Sequence, residues 1–90
     1  MKMLTKELRN KLPKLYSTEK VSDPVAVVKY FTPMSSFTWY AVEFDGEDTF
    51  FGLVDGFSRE LGYFCLSDFE SAGGRVERDL WFKPTPLSSL

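Results

Sequence analysis

The sequence contains no histidine and only one cysteine, Cys65, among its 90 residues. Without histidine, the chain can build neither a serine–histidine nor a cysteine–histidine nucleophile pair, and it lacks a common ligand of zinc. One cysteine permits no intramolecular disulfide and no Cys-x-x-Cys redox or metal motif. The groups left for catalysis are carboxylates, lysine, tyrosine, or a metal ion held by oxygen ligands.

Two further absences narrow the function. Neither a Gly-x-Gly-x-x-Gly motif nor a Walker A motif is present, so the usual glycine-rich loops that bind nucleotide phosphates are missing. The opening MKMLTKELRNKL contains no apolar run long enough for a signal peptide or a membrane span. We therefore predict a cytoplasmic protein with no membrane contact, no cofactor and no bound metal.

The residues that are present predict a folded domain organised around one hairpin. Hydrophobic residues make up 43% of the chain and aromatic residues 17%, which is a globular composition, and the length suits a single domain over residues 1–90. The stretch FTWYAVEFDGEDTFFGLVDGF predicts strands over Phe37–Phe44 and Thr49–Asp55, joined at Asp45-Gly46. Glycine accepts a positive φ in such a turn without a Cβ clash.

Both faces of the first hairpin strand are at least partly apolar. Strict alternation places Phe37, Trp39, Ala41 and Glu43 on one side, and Thr38, Tyr40, Val42 and Phe44 on the other. One explanation is a central strand covered on one face by a helix and on the other by chain or by a partner. The other is an exposed aromatic face used for binding. Burial is the commoner fate of phenylalanine and tryptophan and is favoured.

Two short helices are predicted. The first spans Lys6–Lys11, with Thr5 as its N-cap and a stripe of leucines directed at the sheet, namely Leu4, Leu8 and Leu12. The second lies near residues 67–72, where Ser67 and Glu70 have the spacing of a capping box. Thr85 and Pro86 are predicted to open a final helical turn.

Three strands complete the prediction, over residues 25–31, 57–65 and 75–83, with the last at an edge of the sheet. The expected fold class is α+β. It consists of an antiparallel meander of about five strands, with the short N-terminal helix packed on one face.

Acidic side chains crowd the predicted turn: Glu43, Asp45, Glu47 and Asp48. The simplest interpretation is a solvated turn. A calcium site is disfavoured because Ca²⁺ needs about six to eight oxygen ligands and no EF-hand spacing occurs. A carboxylate pair for glycoside cleavage would need opposed residues in a cleft. An acidic surface also suits a basic site on another protein, and we predict that these four residues bind such a partner, with Trp39 and Tyr40 as aromatic anchors.

The charge is unevenly distributed along the chain. Residues 1–20 carry six basic and two acidic side chains, whereas the remainder carries five basic and eleven acidic ones. An ordinary solvated helix face explains this, and so does a dipolar molecule with a basic end. The alternative function is therefore single-stranded nucleic-acid binding through basic side chains of the N-terminal segment, namely Lys6, Arg9, Lys11 and Lys14.

Six segments of the chain resemble a family of small bacterial proteins that is known only as a domain of unknown function. They are LTKEL, LPKLY, VKYFTP, TWYAVEFDGEDTFFGLV, ELGYF and VERDLWF, and they extend from Leu4 to Phe82. The resemblance implies carriage on plasmids, phages and other mobile elements, often near genes for DNA handling or anti-restriction. It implies no activity and no catalytic residues.

Together these observations predict a non-enzymatic accessory protein, either a monomer or a homodimer. Its expected partner is a protein complex of the host or of the mobile element. The host complex that we expect it to inhibit is a restriction or CRISPR defence complex. The acidic hairpin is the expected contact.

Overall fold

Two antiparallel strands, β3 (Thr38–Phe44) and β4 (Thr49–Asp55), form the centre of the fold. The computed structural model describes residues 2–90. The chain reverses at Asp45-Gly46, where Gly46 has a φ of 89°, a left-handed value that glycine adopts without strain. The predicted hairpin is therefore confirmed.

The sheet has five antiparallel strands, which confirms the α+β class. From one edge to the other their order is β5 (Arg59–Cys65), β4, β3, β2 (Val28–Phe31) and β6 (Glu77–Arg78). Four strands follow one another as a meander, but β6 pairs with β2 at the far edge. The prediction of one continuous meander is therefore wrong for the last strand, because the chain crosses the sheet after β5.

A β-bulge interrupts β3 between Ala41 and Glu43. Ala41 lies opposite Gly52, while Glu43 lies opposite Phe51, so Val42 is an extra residue. The bulge reverses the alternation predicted for the end of the strand, because every residue after an inserted one points to the other face. Without the bulge, Glu43 would enter the face that buries Tyr30 and Phe50.

The N-terminal helix α1 spans Lys6–Lys11, as predicted. The Thr5 hydroxyl accepts a hydrogen bond from the Leu8 amide at 3.2 Å and so caps the first turn. Leu4 and Leu12 are buried in the same apolar cluster as strands β2 to β5, and Leu8 packs against that cluster.

The second helix, α2, spans Leu66–Glu70, one residue before its predicted start. Its N-cap position is Cys65, which makes no side-chain cap. The predicted capping box of Ser67 and Glu70 is therefore wrong. Asp48, from the distant hairpin turn, accepts hydrogen bonds from Ser67 and takes the place of the predicted capping box.

Three terminal elements are shorter than predicted. The run at residues 25–31 is split, because Val27 donates its amide to the Ala41 carbonyl at 2.8 Å. Its first part, β1 (Val25–Ala26), pairs with β7 (Thr85–Pro86) in a separate two-stranded sheet. Of the strand predicted over residues 75–83, only β6 (Glu77–Arg78) is paired. The final 3₁₀ helix spans Leu87–Ser89 and does not begin at Pro86 as predicted.

The core lies on one face of the sheet and is rich in aromatic contacts. Tyr30 and Phe50 are fully buried, with ring centroids 5.7 Å apart, and Phe69 of α2 lies 4.5 Å from Tyr30. On the opposite face Leu53 is buried, and the segment 16–24 and the 3₁₀ helix lie along that face. Other parts of the chain therefore cover both faces. Within residues 2–90, no helix is long and apolar enough to cross a membrane.

Candidate protein-binding surfaces

The hairpin turn holds an exposed carboxylate in a fixed position. Asp45 Oδ1 accepts hydrogen bonds from the amides of Glu47 at 2.8 Å, Asp48 at 2.8 Å and Thr49 at 3.0 Å. These donors, the Glu47 amide above all, hold the pKa of Asp45 below its ordinary value because they stabilise the charged form. Asp45 is therefore ionised at neutral pH and anchors the turn.

Asp48 joins this turn to helix α2. Its two carboxylate oxygens accept hydrogen bonds from the Ser67 amide at 2.7 Å and the Ser67 hydroxyl at 2.8 Å. Asp68 is exposed and follows Ser67 directly, so this contact brings it to the side of α2 that meets the turn. Burial, with the negative charges of Asp48 and Asp68, raises the pKa of the Cys65 thiol above its ordinary value. We call Asp45, Glu47, Asp48 and Asp68 the acidic surface. Nothing in the sequence pattern pointed to Asp68, because it lies twenty positions after Asp48.

Glu43 is not part of the acidic surface, which corrects the sequence prediction. Its side chain is only 2% exposed. Its carboxylate accepts hydrogen bonds from the Tyr16 amide at 2.7 Å, the Thr18 amide at 2.9 Å and the Thr18 hydroxyl. Glu43 therefore fastens the segment after α1 to the sheet and is not available to a partner.

Trp39 and Tyr40 also lie away from the turn. Trp39 is half-buried against Phe69 of the core, with ring centroids 5.1 Å apart, whereas Tyr40 faces the opposite side, 5.9 Å from Phe82. Trp39 and Asp45 are six positions apart along the chain, which is roughly 20 Å at the usual rise of a strand. The structure does not bring the predicted aromatic anchors to the predicted acidic contact.

A groove of about 660 Å³ lies on the face opposite the core. Strands β4 and β5 line it with apolar side chains, and the segment 16–24 forms one wall: Phe51, Leu53, Leu61, Tyr63, Tyr16 and Val21. Tyr16 has a φ of 69°, a left-handed value that is uncommon for a large side chain. A hydrogen bond with Tyr16 raises the pKa of Tyr63 above its ordinary value.

Two carboxylates that line this groove hold its walls. Glu43 binds the segment after α1, as described above. Asp23 accepts hydrogen bonds from the Ser88 amide at 3.0 Å and the Ser88 hydroxyl at 2.6 Å, which hold its pKa below the ordinary value and tie the 3₁₀ helix to the wall. Among residues 2–90, no group of three or more acidic or cysteine side chains is placed to hold a metal ion.

The basic side chains of α1 are exposed and lie beside the hairpin turn. Arg9 donates a hydrogen bond to the Gly46 carbonyl at 2.7 Å, and its guanidinium lies 5.1 Å from the centre of the Phe44 ring. Lys11 forms an ion pair with Glu7 at 3.5 Å. Lys6 and Lys14 are exposed. Arg9 therefore brings the basic helix into contact with the acidic turn.

The fold and these surfaces define a small α+β domain whose exposed carboxylates are arranged by backbone hydrogen bonds. The chain belongs to the DUF2958 family, described as a protein of unknown function, whose model matches residues 3–90. No curated protein and no solved structure matched the chain in the same comparisons.

Proposed function

We propose that the protein acts by binding another protein, and that its acidic surface meets a basic site on that partner. The observation that carries this proposal is the set of three amides on Asp45, together with the Ser67 contacts of Asp48. These contacts hold the negative charges in place before any partner arrives. A preorganised surface loses less conformational entropy on binding than a mobile one, and complementary charge accelerates association.

The proposed partner is a nucleic-acid-processing complex of a host defence system, and the protein would inhibit it. The resemblance to proteins carried on mobile elements supports this choice. Proteins that bind nucleic acids present basic surfaces to the phosphate backbone. A fixed cluster of carboxylates has the charge needed to compete for such a surface. We assign no catalytic step to the protein, since Glu43 and Asp23 hold the walls of the groove.

Glu47 is the residue with which to test the acidic surface. Its side chain is exposed and forms no hydrogen bond or ion pair with any residue in the described part of the chain. Asp45 and Asp48 are unsuitable, because their replacement would disturb the turn and α2. We propose Glu47→Lys, with Glu19→Lys as the matched control, since Glu19 is also an exposed glutamate but lies in the segment after α1.

The assay is plasmid transformation of bacteria with an active restriction or CRISPR system, with and without the protein. Expression should raise transformation efficiency. Glu47→Lys should weaken binding to the partner about tenfold, or about 1.4 kcal/mol, and so reduce that gain. Glu19→Lys should leave the gain unchanged. No gain in either system would contradict the anti-defence role. A full gain with Glu47→Lys would contradict the role of the acidic surface but not the anti-defence role.

Single-stranded nucleic-acid binding through α1 remains a prediction. Arg9 and Lys11 are engaged within the chain, which leaves Lys6 and Lys14 as the exposed cations without a described ion pair. Fluorescence anisotropy with a labelled oligonucleotide at low salt tests it. Binding that weakens steeply with salt, and that Lys6→Glu reduces, would support the alternative. Absence of binding at low salt would exclude it.

A further inference from the structure

Strand β5 forms one edge of the five-stranded sheet, and within the described residues 2–90 β4 is the only strand paired with it. It has seven residues in unbroken register with its neighbour, from Asp55↔Arg59 to Thr49↔Cys65. The opposite edge strand, β6, has only two residues. Short edge strands are one way in which proteins prevent unwanted pairing, and a long straight edge is a template for another strand. The two edges therefore differ in what they offer a partner.

The free backbone groups of β5 can be assigned from the ladder. The Leu66 amide donates to the Asp48 carbonyl at 2.8 Å, in the same register as the β4–β5 pairs. Backbone groups alternate between the two sides of an antiparallel strand, so residues 60, 62 and 64 bond to β4. Residues 59, 61 and 63 direct their amides and carbonyls outward, where no backbone group within residues 2–90 pairs with them.

The side chains on this edge are apolar and exposed. Leu61 is 59% exposed and Tyr63 is 55% exposed, and both are on the face that carries the groove. Large exposed side chains on a strand with free hydrogen-bonding groups indicate an interaction site.

Gly62, at the middle of β5, is not explained by the rest of its own chain. A Cβ built on Gly62 would meet no atom within 4 Å, and its φ is not left-handed. Gly52, its neighbour on β4, is different, because a Cβ there would lie 1.9 Å from the Tyr40 carbonyl oxygen. Glycine weakens a strand, and in the absence of a bulge it often marks a place where another backbone approaches closely.

We propose that β5 pairs antiparallel with β5 of a second copy of the chain, about a two-fold axis at Gly62. This register pairs all seven residues of each strand. Leu61 of one copy lies opposite Tyr63 of the other, and these residues exchange the outward hydrogen bonds identified above. Each Leu61–Tyr63 pair buries apolar surface that the single chain exposes, and the two sheets join into one of ten strands.

The charged residue at the start of β5 is compatible with this register. Arg59 of one copy lies opposite Cys65 of the other, and its guanidinium keeps the contacts that it makes within its own chain, with the Asp55 carboxylate at 2.9 Å and the Leu90 carbonyl at 2.7 Å. The two Arg59 side chains lie at opposite ends of the shared ladder, so they do not repel each other. The outer side of the turn, with Glu47, lies beyond the shared ladder.

A disulfide reports the register directly. In a Cys65→Ser background, Gly62→Cys places two thiols across the axis in a non-hydrogen-bonded pair, where Cα atoms lie about 4.5 Å apart, within the range for a disulfide. Mild oxidation should convert most of the protein to a covalent dimer. The matched control, Glu47→Cys in the same background, should remain largely monomeric. Equal yields from the two variants, or no dimer from Gly62→Cys, would contradict the proposed register.

Sedimentation equilibrium of the unmodified protein tests the dimer without any substitution. We expect a monomer–dimer equilibrium, and Leu61→Lys should weaken it by about tenfold or more, because charge on an edge strand opposes pairing. Circular dichroism and urea unfolding should show that this variant remains folded, since Leu61 is largely exposed. A protein that stays monomeric at millimolar concentration would overturn the proposal, and so would a dimer that Leu61→Lys leaves unchanged.

Discussion

Among the described residues, Glu43 is the only charged side chain that is buried. A buried carboxylate is tolerated when hydrogen bonds satisfy its oxygens, and those of Glu43 accept from Tyr16 and Thr18. Its acidic neighbours in the sequence are exposed and suggested a surface role for Glu43. Instead, its carboxylate holds the segment after α1 to the sheet. That segment forms a wall of the groove.

Glu43→Ala should destabilise the fold by about 3 kcal/mol, because it removes the acceptor and leaves the Tyr16 and Thr18 amides without a partner. Urea unfolding measures the loss. Glu19→Ala, in the same segment but exposed, should change the free energy of unfolding by less than about 0.5 kcal/mol. Similar values for the two variants would show that Glu43 does not hold the segment.

Tyr16 carries backbone strain, since a left-handed conformation costs an ordinary residue roughly 1–2 kcal/mol. Tyr16→Gly should therefore be more stable than Tyr16→Ala by about 1 kcal/mol. At Ser17, where φ is not positive, the order should reverse, with alanine the more stable. Urea unfolding of the four variants gives both comparisons. The same order at both positions would argue against strain at Tyr16.

At the scale of elements, the hairpin turn and α2 behave as one unit. A five-residue helix is not stable alone, and Asp48 satisfies the Ser67 amide in its first turn from nineteen positions away in the sequence. Asp48→Ala should destabilise the protein by about 1–2 kcal/mol and increase hydrogen exchange in α2. Asp68→Ala, which removes an equal charge without a cap, should cost less than about 0.5 kcal/mol. Equal costs would mean that Asp48 does not cap α2.

The predictable elements are those that depend on neighbouring residues. The Thr5 cap and the leucine stripe predicted α1, and Asp45-Gly46 predicted the hairpin. Caps and tight turns can be predicted because they depend on residues that are close together in the sequence. The Asp48 cap and the proximity of Asp68 involve residues far apart in the sequence, so local spacing gave the capping box instead. The bulge at Val42 was missed for a related reason. The predicted alternation assumes that the ladder is regular. The break in the ladder becomes visible only in the folded structure, where both faces of the strand are packed.

At the scale of the whole molecule, the acidic residues contribute to stability as well as to charge. Hydrogen bonds hold the pKa values of Asp23 and Asp45 below their ordinary values in the folded state. Each group therefore stabilises the fold above its unfolded pKa, near 3.9. That contribution is lost as the pH falls through the lower folded value.

The free energy of unfolding should therefore fall as the pH is lowered below about 4. The Asp23→Asn/Asp45→Asn variant keeps side-chain oxygens that accept hydrogen bonds but removes both titrating groups. Its loss of stability between neutral and acid pH should be smaller than that of the parent. Urea unfolding at several pH values measures both slopes. Equal slopes would show that these two carboxylates do not contribute to acid sensitivity.

The extra residue at Val42 gives this strand one place where the length of the chain can change. If Val42 were deleted, the ladder would become regular, and Glu43 would still lie opposite Phe51 and Phe44 opposite Phe50, each on its present face. A one-residue deletion in β4, which pairs with β5 without a bulge, would instead turn the side chains that follow it to the other face. In urea unfolding, deletion of Val42 should therefore lower the free energy of unfolding by less than deletion of Leu53.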